Sequence, residues 1–442
     1  MTEYKKPKKI KTPPLFYFLK KGNATRPQLQ IDLIKDVGNI VKLSHFLPTL
    51  AIYHPDYAKH ILLTNQQNYI KSDVNFRALA DIIGQGIVTN NGKKWKSQRD
   101  NLAPLFQPRV ITNQLPTLVH HIKEMAIRWQ HFANNKKKIN LTDEIMKLLL
   151  KTAMKNFMSE EINDKNSDDT ILLSKMMNVY VGKFHYLFKF LPLPSHYKLR
   201  KIKKNIDAYL LSIIHKRKQQ TSWPEDLLTQ LLKMKDEDQK ELTQTDLLAE
   251  LTTLLIASIE SLSHTLSWAW YYLLHHPQVF EKIKNEIKEN YNLQHFNSEF
   301  ELPYTKAMIE ETLRISTPAW ILTRRALKED YIDGYTIPAN TNLFIYIYAL
   351  HHHPDFWETP EEFIPERFLD ENRKKIIRHS YLPFGIGPRN CIAGYTAIKQ
   401  AQVILAELLT RFNYKFDPSQ RIESQVLVTR GIKQGLQISI TS

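Results

Sequence analysis

Residues 384–394 read Phe-Gly-Ile-Gly-Pro-Arg-Asn-Cys-Ile-Ala-Gly, and the reading of this stretch decides the fold. The chain has only 12 glycines in 442 residues, about 3% against a usual ~7%, yet three of them fall in these eleven positions together with Pro388. Gly385 and Gly387 allow a tight turn and a close backbone approach to a flat ligand. Cys391 is the chain's one cysteine. Apolar residues recur at helical spacing over 395–412, so Cys391 is expected at a helix N-terminus, where free N–H groups and the helix dipole favour a thiolate. Arg389, two residues earlier, can pair with an acidic group on a ligand. A lone cysteine is more often buried and inert. It is the surroundings that single this one out.

The composition, 43% apolar and 24% charged, is that of a globule with ample material for a core, and it excludes global disorder. A single cysteine excludes an internal disulfide, a secreted disulfide scaffold and a Cys-rich zinc module, and fits a reducing, cytoplasmic setting. Sixty-one Lys and Arg against 45 Asp and Glu leave a net charge of +16, which suits nucleic acid, an anionic membrane or an acidic protein. No nucleic-acid module is recognisable, and apart from Lys5–Lys11 the basic residues are spread around helices, so nucleic acid is not an expected partner. No apolar run approaches the roughly 18 residues of a membrane-spanning helix. The stretch "PPLFYFL" is too short for a signal-peptide core. A peripheral membrane contact through Lys5–Lys11 and Phe16–Leu19 stays open.

The texture from about residue 93 to 290 is helical, with apolar residues at i, i+3, i+4 and i+7. The segments "LPTLVHHIKEMAIRWQHF", "DEIMKLLLKTAMKNFM" and "HYKLRKIKKNIDAYLLSIIHKRKQQ" show it, and so does "QTDLLAELTTLLIASIESLSHTLSWAWYYLLHH". The last is apolar on most faces and should run through the middle of the molecule. Residues 159–169 and 233–241 read as polar loops, and "LAIYHPDYAKHILL" as a strand followed by a short helix. Short strands are expected in "EDYIDGYTIPANTNLFIYIYAL", and a closing hairpin in "VLVTRGIKQGLQISIT". The chain therefore reads as mainly α with a small β-rich portion: a basic N-terminal segment, 1–30, and a single domain, 31–442.

The cysteine segment resembles the cysteine loop of the cytochrome P450 family of haem-thiolate enzymes, Phe-x-x-Gly-x-Arg-x-Cys-x-Gly. It matches at Phe384, Gly387, Arg389 and Cys391, with Ala393 in the final glycine position. Four further motifs follow in family order, and the resemblance covers roughly residues 40–440. It implies the P450 fold, a helical prism holding haem b (iron protoporphyrin IX) between the long central helix and the helix after the cysteine loop. Cys391 would be the metal ligand, with Phe384, Gly385 and Ala393 against the haem. Trp95 and Arg99 in "GKKWKSQR" resemble the family's propionate-binding Trp-x-x-x-Arg. Arg324 in "WILTRRALKED" sits where another propionate arginine is expected, with Arg325 next to it as the alternative, and Arg389 completes the set. Glu311 and Arg314 in "EETLR", with Arg367 in "PERF", resemble the family's structural Glu-x-x-Arg and its later arginine.

Within the long helix, Ala257, Ser258, Ile259, Glu260, Ser261 and Leu262 resemble the oxygen-binding motif Ala-Gly-x-Glu/Asp-Thr-Thr. Ser258 replaces the usual glycine and Ser261 the usual threonine. A hydroxyl is kept, so Glu260 and Ser261 are the expected proton relay. By the same resemblance Val88, Thr317, Pro318 and Ala319 line an apolar cleft. The implied activity is insertion of one oxygen atom of O2 into a small apolar substrate such as a fatty acid, terpene or steroid. Electrons are expected from a separate ferredoxin or flavodoxin, the protein being a soluble, monomeric, bacterial-type member. A peroxide-using hydroxylase or peroxide isomerase is the alternative enzyme, and a haem sensor or carrier the alternative outside catalysis. His351–His353 are not read as a metal site, because consecutive histidines point in different directions.

Overall fold

The computed structural model describes residues 8–14, 17, 27–182, 193–236, 238–291 and 301–441. Along the chain come α1 (Pro27–Asp36), β1 (Ile40–Lys42), β2 (Thr49–Ile52), α2 (Pro55–Lys59) running into a π turn (His60–Thr64), β3 (Tyr69–Ile70) and α3 (Asp73–Ile83). Then follow α4 (Gly92–Leu102), α5 (Pro108–Asn134), β4 (Lys138–Asn140), α6 (Leu141–Met158), α7 (Asp164–Gly182), α8 (Pro194–Gln219), α9 (Leu227–Lys233), α10 (Gln244–His275), α11 (Pro277–Asn290) and α12 (Pro303–Ile315). The remainder is β5 (Leu322–Ala326), β6 (Asp330–Ile332), β7 (Tyr335–Ile337), β8 (Asn342–Ile345), α13 (Ile347–His351), α14 (Asp370–Arg373), α15 (Gly394–Leu409), β9 (Asn413–Phe416), β10 (Ser424–Val426), β11 (Arg430–Ile432) and β12 (Gln437–Thr441). Among the described residues no helix is long and apolar enough to cross a membrane. Of the candidate membrane-contact residues, Lys5, Lys6, Phe16, Phe18 and Leu19 lie outside the described residues.

These elements form two compact units, Met1–Phe76 with Glu310–Cys391, and Arg77–Ile309 with Ile392–Ser442. The first is built on a five-stranded sheet in the order β1-β2-β8-β5-β3, antiparallel except where β2 runs parallel to β8. Its core takes Ile40, Leu50, Ile52, Leu343 and Ile345 from the strands and Tyr57, Ile61 and Leu62 from α2 and the π turn. The segment "LAIYHPDYAKHILL" is thus the strand and short helix that its pattern predicts.

The second unit is helical. α10 is 32 residues, about 48 Å at 1.5 Å per residue. It starts at a capping box in which the Thr243 hydroxyl accepts from the Asp246 N–H and the Asp246 carboxylate accepts from the Thr243 N–H. α6 packs along it, α7 on α8, and α5 on α15. A three-stranded sheet, β4-β12-β9, and the β10-β11 hairpin complete the unit.

Three local expectations change. Residues 159–169 are not all loop: α7 begins at Asp164, where the Asn163 side chain accepts the Asn166 N–H and so caps the helix. The strand-like "IYIYAL" ends its strand at Ile345 and becomes α13, whose residues Ile347–His351 are all buried, so no amphipathic period survives to announce a helix. The closing hairpin is β10 with β11 only, since β12 pairs instead with β4 and β9.

Candidate functional site

In the first unit, residues 382–391 fold into successive turns. The Gly385 N–H donates to the Leu382 carbonyl (3.1 Å), the Asn390 N–H to that of Gly387 (3.1 Å) and the Cys391 N–H to that of Phe384 (2.8 Å). Gly385 and Gly387 have φ of +67° and +75°, in the left-handed region. A Cβ on Gly387 would lie 2.1 Å from the Leu62 carbonyl oxygen, so the loop rests directly on the π turn and only glycine fits there. Cys391 ends the loop with its thiol exposed, two residues before Ala393, the N-cap of α15. The expected helix follows, but Cys391 lies two residues before its N-cap rather than at the helix N-terminus itself.

Two cations stand in the same unit. Arg324, on β5, is 5% exposed and donates to the Thr323 carbonyl (2.9 Å). Burial, with the Arg389 guanidinium nearby, lowers its pKa from 12.5 to about 10; burial likewise lowers that of Arg389 to about 10. Among the described residues no carboxylate pairs with Arg324. Arg325 alternates to the other side of the strand and is half-buried, so Arg324 is the buried member of the pair left open by the sequence. A buried charge without a counter-charge is costly. Arg324 so placed, with the half-buried Arg389 guanidinium nearby, asks for an anion, and the carboxylates of a haem fit that need.

A buried polar network lies behind the loop. Arg314 gives two bonds to Glu311 (2.7 and 2.8 Å) and one each to the carbonyls of His351 (2.9 Å), Pro360 (2.7 Å) and Glu362 (3.0 Å). Both side chains are wholly buried. Arg367 lies 3.4 Å from Glu311, which also accepts the Ile364 N–H. Sequence reasoning found these three residues but missed His351. Its Nδ1 meets the Arg314 carbonyl (3.2 Å) and its Nε2 accepts the Leu382 N–H (2.8 Å). One imidazole therefore ties Arg314 to the base of the cysteine loop. His352 turns to the Tyr348 carbonyl and His353 to Asn39, so the three histidines serve three different places. Thr317 and Pro318, also of this unit, are buried, and Ala319 is half-buried.

In the second unit, α10 is buried along nearly its whole length, and between Asp246 and Leu274 only Ala257 and Ser261 are exposed. They lie one turn apart, forming an open window in mid-helix with Ser258 half-buried beside it. The helix runs through Ser258 without a break; Ser258 and Ser261 donate back to the carbonyls of Leu255 (2.8 Å) and Ala257 (3.4 Å). Glu260 is buried and accepts from the hydroxyls of Ser174 (2.7 Å) and Thr429. On α4, Trp95 and Arg99 are one turn apart and both half-buried. Sequence reasoning also missed a buried set around Glu250, which accepts the Ile87 N–H (3.0 Å) and the Gln98 amide (2.8 Å) beside Val88. Its signal is a lone acid within the apolar run "LLAELTTLLI".

The sequence matches the family described as Cytochrome P450 over residues 9–433. This chain belongs to the cytochrome P450 family. Human cytochrome P450 4Z1 is 30% identical to it over 89% of this chain and 82% of the relative. A human ultra-long-chain fatty acid omega-hydroxylase is 25% identical over 91% and 81%. The crystal structure of the cytochrome P450DA heme domain superposes with a TM-score of 0.85 at 18% identity, covering 99% of this chain and 98% of that one, which shows the shared fold. As a P450 the protein is a haem-dependent monooxygenase, and the expected mainly-α P450 fold is the one observed.

Two predictions follow from the first unit of this P450. Replacing Arg324 by Met should lower the haem retained after gel filtration, while the protein stripped of haem keeps its stability or gains roughly 1 kcal/mol through loss of a buried charge; equal haem retention would oppose the assignment. His351 is buried neutral, its pKa lowered from 6.5 to about 3 mainly by burial and next by Arg314. As pH falls, the unfolded chain takes up this proton first, so stability present at pH 7 is lost between about 6.5 and about 3. Urea midpoints at pH 7 and pH 5 should converge in His351→Gln relative to the parent protein.

Proposed function

We propose that this P450 hydroxylates an apolar substrate of the fatty-acid type, with residues 31–442 acting as one haem domain. The buried Arg324, with the half-buried Arg389 near it in the same unit as the exposed Cys391, carries the assignment of the haem site. Cys391 would hold the iron, with Phe384, Gly385 and Ala393 against the macrocycle. Arg324 and Arg389 would take propionates, and the Trp95/Arg99 pair is assigned to them by its resemblance. When bound, haem supplies the activation of O2 by which one oxygen atom enters a C–H bond.

The chain's own residues position the reactants and move protons. Ala257 leaves α10 open where a small ligand is needed. The Ser261 hydroxyl, exposed and held by only a long bond to the Ala257 carbonyl, is free to turn outward and hand on a proton. Glu260 keeps an acceptor one residue away, fixed by Ser174 and Thr429. Val88, Thr317, Pro318 and Ala319 are assigned to the apolar cleft that excludes water from this transfer. The fatty-acid class draws support from the human ultra-long-chain fatty acid omega-hydroxylase.

For electron delivery we infer an acidic ferredoxin or flavodoxin. Lys374, Lys375 and Arg378 are exposed on a segment of the same unit as Cys391, in a chain of net charge +16. The decisive experiment is turnover of dodecanoate under 18O2 with such a partner, its reductase and NAD(P)H. One labelled oxygen in a hydroxylated product is expected. Product formed only when peroxide is supplied would contradict the monooxygenase cycle.

A further inference from the structure

The segment Gly84–Asn90 carries Val88 and holds internal turn bonds from Thr89 and Asn90. It is also fixed to α10 at several points within the second unit. A Cβ on Gly84 would come 2.6 Å from the Ala249 Cβ, and one on Gly86 2.4 Å from the Thr253 hydroxyl oxygen. The segment's backbone therefore lies directly on consecutive turns of the helix. Between those two contacts on α10 stands Glu250, 1% exposed.

The two Glu250 oxygens share the Ile87 N–H at 3.3 and 3.0 Å, and Oε2 also accepts the Gln98 amide at 2.8 Å. The Gln98 carbonyl oxygen in turn accepts the Asn90 amide (2.9 Å), and that amide also donates to the Gln85 carbonyl (2.8 Å). Thr89 closes the turn by donating to the Gly84 carbonyl (2.9 Å). One buried carboxylate thus grips the residue before Val88 directly, and grips Asn90 through Gln98. Nearby, Lys94 pairs with Asp246 at 2.7 Å, a second tie from α4 to the same stretch of α10.

A buried acid in an apolar helix is costly unless its oxygens are satisfied. Here they are satisfied by the Gly84–Asn90 segment and by Gln98, so the acid ties that segment to α10 in addition to the segment's own turn bonds. We propose that Glu250 is a positioning residue which fixes the Gly84–Asn90 wall and thereby sets the size of apolar ligand that this P450 accepts. The proposal rests on the reading of Val88 as a cleft residue.

The test uses the haem-loaded protein and two probes, imidazole and 4-phenylimidazole, whose nitrogen binds iron and whose sizes differ. Dissociation constants are read from the shift of the haem absorbance. Glu250→Leu should change the ratio of the two constants at least about fivefold while leaving that of imidazole alone within about twofold; a purely structural loss would weaken both equally. Glu250→Gln, which keeps an acceptor oxygen, should restore most of the parent ratio. If Glu250→Leu does not fold, Gln98→Met loosens the same clamp from the other side and should move the ratio in the same direction. Val88→Phe separates the two ideas. If it shifts the ratio and the clamp variants do not, the role of Glu250 is overturned; if Val88→Phe leaves the ratio unchanged, the cleft reading fails and this inference falls with it.

Discussion

The five N–H groups of the Arg314 guanidinium each have an acceptor inside the protein, and the first unit depends on that arrangement. Two go to Glu311. The others fasten the irregular chain from His351 to Glu362, which has few backbone ladders of its own. Trp357 covers the guanidinium at 5.0 Å, and Arg367 adds a second cation to Glu311. His351 then carries the constraint onward to Leu382, whose carbonyl starts the turn at Gly385. A lysine, with three donors and no planar fork, could not replace this group. The position of the cysteine loop is thus fixed from beneath by the carbonyl of Leu62 and from behind by a chain of buried bonds that begins on α12.

Buried polar groups divide into two kinds. Arg314, Glu311, Glu250 and Glu260 are answered within the protein, and they hold elements in place. Among the described residues Arg324 is answered by a single backbone carbonyl, and it lies near the half-buried Arg389. The free-energy cost of leaving such a cation without a counter-charge makes sense where an external anion is to be bound. This difference separates a ligand-facing charge from a structural one when both look alike in sequence.

Much of this was legible from residues alone. The cysteine loop stood out because glycine is rare elsewhere, and α10 because an apolar run of that length without proline has few alternatives. Glu311, Arg314 and Arg367 could be named by resemblance, since their spacing is local or their motif intact. What escaped was non-local or fully enclosed. β12 finds β4 some three hundred residues away, and no local pattern records it. α13 is buried on every side, which erases the period that marks a helix. The sequence says of His351–His353 only that they point in different directions, and the fold shows that His351 bridges two segments. Glu250 escaped because its partners Ile87 and Gln98 lie some hundred and fifty residues away in sequence.

The central claim, that Cys391 is the iron ligand, is most directly tested by the absorbance of the dithionite-reduced protein under carbon monoxide. The parent protein should show the long-wavelength band that marks thiolate ligation, and Cys391→Ala should lose it while circular dichroism stays helical. A variant that keeps the band, or a parent protein whose band matches histidine ligation, would contradict the account.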